Sequence, residues 1–112
     1  MVEKLYKPLL TESIKVTVNV EKQRFIGFDG NYCTANAKAL GVSDVEIEAG
    51  QFAPVGLLGI LLVKTAEAIT KGSKVASDAT GLAVAFTAGE SNGYSLDAAA
   101  GAGEIIRIAR GI

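Results

Sequence analysis

The chain has 112 residues, with 11 Lys and Arg against 12 Asp and Glu, no histidine and one cysteine. That length fits one domain, and the balanced charge offers no long-range pull toward nucleic acid. The missing imidazole removes every His-dependent general base, catalytic triad and metal site.

Apolar residues make up 49% of the chain and aromatic ones only 6%, so the core has to be built from thin layers of Ala, Val, Leu and Ile. Cys33 has no partner for an intrachain disulfide or a thiolate metal centre. Beside Tyr32 it reads as a small buried thiol, in keeping with a reducing interior. Charges at Glu3, Lys4, Lys7, Glu12 and Lys15 interrupt the first twenty residues, which do not form a signal peptide. The longest greasy run, Val55–Val63, is too short to cross a membrane as a helix. A soluble protein is expected.

Residues 1–12 read as an extended N-terminal arm. Pro8 interrupts regular structure there, and Leu5, Tyr6, Leu9 and Leu10 offer apolar anchors. Residues 13–112 then read as one β-domain. From Ile14 to Val20 every second residue is β-branched (Ile14, Val16, Val18, Val20) against Lys15, Thr17 and Asn19, the pattern of a half-buried strand. A strand follows at Arg24–Phe28, and Asp29-Gly30 turns the chain toward Tyr32 and Cys33. Ala39–Val42 and Val45–Ile47 are short, charge-flanked strand candidates.

Gln51–Lys64 (QFAPVGLLGILLVK) is apolar on both faces, which predicts the central strand. Gly56 and Gly59 mark bends, a bulge or close backbone contact. Thr65–Thr70 is an irregular crossing or one helical turn with Ile69 inward. Lys74–Phe86 repeats the hairpin design around Asp78–Gly81. After the loop TAGESN come a short strand at Asn92–Leu96, the segment DAAAGAG with room for one capped helical turn, and a closing strand at Glu104–Arg110. About eight short strands with turn signals between them predict an all-β fold, a small β-barrel or sandwich with the N-terminal arm outside it.

Chemistry is sparse along this framework. Asp29, Asp44, Asp78 and Asp97 sit in turn-like settings and read as turn stabilisers; the spacing of Asp44–Glu48 is not that of a calcium loop. Gly56-x-x-Gly59 lacks the Lys-Ser/Thr of a phosphate loop. Ala66–Val84 has the cadence of a lipoyl- or biotinyl-carrier domain, but its hairpin apex carries no lysine to modify. No catalytic residue, cofactor or metal is expected, and neither nucleic acid nor membrane is an expected partner.

Three stretches together resemble a family of tailed-phage head proteins, the capsid decoration or cement proteins. They are RFIGFDGNYCTANAKALGVS at Arg24–Ser43, KGSKVASDATGLAV at Lys71–Val84 and NGYSLDAAAGAGEIIRI at Asn92–Ile108, within a likeness running from Pro8 to Ile108. The resemblance implies a virion structural protein, made in the host cytoplasm and placed on the outer surface of the capsid. It would bind the major capsid protein there as a homotrimer and reinforce the joints between capsid subunits. The residues expected at the interface are Leu5, Tyr6, Leu9 and Leu10 of the arm, with Ile106 and Ile108 of the last strand. The competing reading is a β-barrel binding or assembly module with no capsid role.

Overall fold

The computed structural model describes residues 6–112. Eight strands follow in order: β1 (Lys7–Lys15), β2 (Phe25–Ile26), β3 (Gly41–Ser43), β4 (Phe52–Lys64), β5 (Val75–Ser77), β6 (Ala83–Ala85), β7 (Tyr94–Ser95) and β8 (Ile105–Arg110). The main sheet runs β2-β3-β4-β8-β7 with β1 added to β4, and β5-β6 form a separate hairpin. All of these pairings are antiparallel. The sheet curls into an open half-barrel from which the N-terminal strand extends as an arm.

β4 organises the whole. Val55 and Gly56 pair with β1 on one edge and with β3 on the other, while Gly59–Lys64 pair with β8. Midway, Gly59 takes φ +108°, and a Cβ there would lie 2.5 Å from the Lys7 carbonyl oxygen and 2.7 Å from the Leu9 nitrogen. Only glycine fits that conformation and that approach. The same residue divides the core. Before it, Ala53 and Val55 pack with Val16, Val20 and Ile26. Beyond it, Leu61 and Val63 pack with Phe25, Val75, Ile106 and Ile108.

Side-chain hydrogen bonds hold the short connections. Asp78 Oδ1 accepts from the Thr80 and Leu82 backbone N–H groups at 2.8 and 2.9 Å, closing the β5-β6 turn, and Asp29 accepts from Asn31 N–H at 3.0 Å in the first hairpin. Buried Asn92 crosses between segments: its Oδ1 accepts from Ala39 N–H (2.8 Å) and its Nδ2 donates to Ala37 O (3.0 Å).

Several expectations change at the level of elements. Pro8 does not interrupt the arm; it lies inside β1, opposite Gly59, beside a register shift that leaves Leu9 without a partner on β4. An edge strand tolerates proline because its outer N–H groups have no ladder to serve. β1 therefore runs through the boundary expected between residues 12 and 13. The Ile14–Val20 alternation is right about faces, since Val16 and Val20 are buried and Thr17 and Asn19 exposed. The regular strand nevertheless ends at Lys15, where Thr17 N–H turns to Gly30 O and Asn19 accepts from Ala49 N–H. Val45–Ile47 forms no strand, only an isolated bridge from Ile47 to Val20. Asp97 caps no helix. Its carboxylate takes Arg107 in a two-pronged pair at 3.0 and 2.9 Å, and accepts from the Arg107 backbone as well.

Candidate interaction surface

β1 is exposed along nearly its whole length, because β4 lines one edge and no other strand of the described residues lines the opposite one. Leu9 is 84% exposed and Leu10 49%. Leu10 pairs across the ladder with Leu58, itself 40% exposed, and Phe52 at the other end of the ribbon is 64% exposed. The β1-β4 ribbon thus carries large apolar side chains that the subunit's own core does not cover. A monomeric surface rarely keeps such a patch without a use for it.

The six residues expected at an interface separate into three groups. Leu9 and Leu10 lie on this ribbon, open to a partner. Tyr6 is half-buried against the larger core cluster, its hydroxyl beside Gly56 and near Asp44. Burial first, then the Asp44 charge, pushes its phenol above the ordinary value. Leu5 lies outside the described residues. Ile106 and Ile108, at 1% and 0% exposure, have their side chains inside the subunit, packed against Leu61 and Val63. On β8 the buried Ile106 and Ile108 alternate with the partly exposed Ile105, Arg107 and Arg110.

Phe52 and Leu58 went unremarked in the sequence because a run apolar on both faces reads as wholly internal. Plain alternation decides instead: Ala53, Val55, Leu61 and Val63 are buried, while Phe52 and Leu58 fall on the opposite face.

Two further surfaces flank the ribbon. A groove of about 340 Å³ runs between Leu9, Leu58, Ile60, Ala109 and Ile112, with Lys7 and Arg110 on its rim. It adjoins, through Ala109–Ile112, a hollow of about 280 Å³ bordered by Lys38, Lys74 and Tyr94. No Asp or Glu lines either one. Arg110 donates to the Leu40 carbonyl (2.8 Å) and to that of Ala39, and burial lowers its pKa from the ordinary value. Elsewhere, a cleft of about 520 Å³ is lined by Glu21, Glu46 and Glu48 with Tyr32 and Asn19. Glu21 is held there by Arg24 at 3.0 Å.

Reactive groups are withdrawn from these surfaces. Cys33 is buried, and desolvation raises its thiol above the ordinary value, keeping it protonated and a poor nucleophile. Among the described residues, no group of three or more His, Cys, Asp or Glu could hold a metal ion.

The model of the phage cement protein family matches residues 8–110. Among solved structures, the N base of the head fiber gp8.5 of bacteriophage phi29 superposes with a TM-score of 0.75, covering 91% of this chain and 93% of that one. At 18% identity that likeness is one of fold. Among curated proteins, none matches the sequence.

Proposed function

The chain belongs to the phage cement protein family, and on that premise we propose that it binds the exterior of the phage head and stabilises contacts between major capsid subunits. It is a phage structural protein, related in fold to a head-fiber base. Its partner in this reading is the major capsid protein, its form on the head a homotrimer, and its place the outer surface of the virion after synthesis in the host cytoplasm.

The uncovered β1-β4 ribbon carries the reading. A cement protein has to offer apolar area to a neighbour while its own core stays closed, and Leu9, Leu10, Phe52 and Leu58 do so from strands whose other residues hold the fold together. Each contact is modest, but copies repeated over a lattice bridge adjacent subunits, and bridging multiplies a weak contact without new chemistry. The edge of β1 away from β4, which no other strand of the described residues lines, adds backbone groups that an extended segment of a capsid subunit could meet.

The test is co-sedimentation of the purified protein with assembled heads that lack it, beside the Leu9→Asp/Leu10→Asp variant. Saturable binding that the variant loses supports the reading. No binding of the wild-type protein to such heads overturns it and leaves an assembly module without a capsid role.

A further inference from the structure

The chain is nearly neutral, yet two adjoining concavities carry side-chain charge of one sign only. The apolar groove and the hollow joined to it are bordered by Lys7, Lys38, Lys74 and Arg110, with no carboxylate side chain among their lining residues. Among the described residues neither Lys38 nor Lys74 forms a salt bridge: Lys38 Nζ donates to Ser91 O at 3.0 Å, and Lys74 Nζ stands 5.3 Å from the Phe86 ring centre.

The opposite sign collects in the β3–β4 connection. Asp44, Glu46 and Glu48 are all exposed there, and Val45 between them shows 38% of its surface. This connection enters β4 at Phe52, whereas the groove lies at Leu58–Ile60 of the same strand, six to eight residues on. At about 3.3 Å per residue the Phe52 end of the connection sits roughly 20 Å or more from the groove along the strand path, while Asp44, bonded through its N–H to Pro54 O, lies nearer.

We propose that copies of this chain associate head to tail, the acidic β3–β4 connection of one seated in the cation-bordered apolar groove of the next. The carboxylates meet Lys38, Lys74 and Arg110, and Val45 covers part of the apolar floor. The contact joins two different patches, so it repeats around the assembly and closes a ring when the rotation between copies allows. Complementary charge fixes which patch meets which and speeds the encounter. The proposal gives a physical interface to the oligomer in the functional reading, and its own test needs no capsid.

That test is sedimentation velocity of the purified protein over a range of concentrations, at low and high salt. The variants are Glu46→Lys/Glu48→Lys, Lys38→Glu/Lys74→Glu, and all four together. The wild type is expected to form a closed oligomer that weakens as salt rises. Either reversal alone is expected to weaken association by about tenfold or more, and the fourfold variant to regain it, because its charges are again complementary. All four positions are exposed, and far-UV circular dichroism of each variant confirms folding before the comparison. A monomeric wild type at every concentration, a reversal with no effect, or a folded fourfold variant no better than the single reversals would each overturn the proposal. Failure of the wild-type protein to bind heads while it still self-associates would instead count against the functional reading alone.

Discussion

Removing Asn92 tests whether the second half of the molecule is held to the first by one buried amide. Asn92 is 1% exposed and bridges backbone groups of the segment before β3, more than fifty residues away in sequence. In Asn92→Ala the N–H of buried Ala39 loses its partner, a cost of about 1–3 kcal/mol for an unsatisfied donor. The Ala37 carbonyl is better off, because the Cys33 thiol also donates to it, at 3.4 Å. Losing that second bond costs about 0.5–1.5 kcal/mol. Together the substitution should destabilise the fold by about 2–4 kcal/mol, read as a fall in the urea midpoint at unchanged m-value. Asn92→Asp separates the two bonds: it keeps an acceptor for Ala39 but sets an oxygen against the Ala37 carbonyl. It should also destabilise, and increasingly as its buried carboxyl is forced to ionise with rising pH. A change below about 0.5 kcal/mol in the alanine variant, within the range of ordinary surface substitutions, would refute the reasoning.

Three other substitutions probe the core, the arm and the buried thiol. Ile108→Ala should cost about 2–5 kcal/mol as a core truncation, whereas Leu9→Ala should stay within about 0.5 kcal/mol; equal effects in thermal melts would mean that the buried and exposed assignments on β8 and β1 are mistaken. Gly59→Ala forces a side chain into the positive-φ site under Lys7 and Leu9, at about 2–4 kcal/mol of strain and overlap; the β1 amides should lose hydrogen-exchange protection before those of β8, and uniform loss would contradict a local role. Burial raises the Cys33 thiol in the folded state, so the folded chain holds that proton where the unfolded chain has released it. Stability should therefore fall as pH rises through the ordinary thiol range and beyond. Cys33→Ala should flatten the part of the urea-midpoint slope between about pH 8 and 9.5 that comes from this thiol, and an unchanged slope would refute the assignment.

The sequence was most legible where a local rule had no competitor. The two Asp-Gly-type turns read correctly because Asp29 and Asp78 bond backbone groups two residues on. The alternation through Val16 and Val20 gave the right buried face even though a regular strand does not continue there, since side-chain direction survives the loss of ladder bonds. Legibility failed where the answer depended on what lies beside a strand. Pro8 looked like a breaker, but its place opposite Gly59 on an edge removes the penalty. Ile106 and Ile108 looked adhesive, but β4 and the half-barrel core consume them. Phe52 and Leu58 belong to the same apolar run as Leu61 and Val63, but lie on the opposite, exposed face of the strand. The cation-bordered groove joins residues from β1, β4 and β8 that no spacing in the sequence connects.

Calorimetric melting of heads that lack the protein, with and without a saturating amount added back, tests the cementing role most directly. If the β1-β4 ribbon bridges capsid subunits, the shell transition should move to higher temperature with added wild-type protein and stay in place with the Leu9→Asp/Leu10→Asp variant. Saturating binding of the wild type that leaves the shell transition where it was would contradict cementing, and would mean that the protein sits on the head without strengthening it.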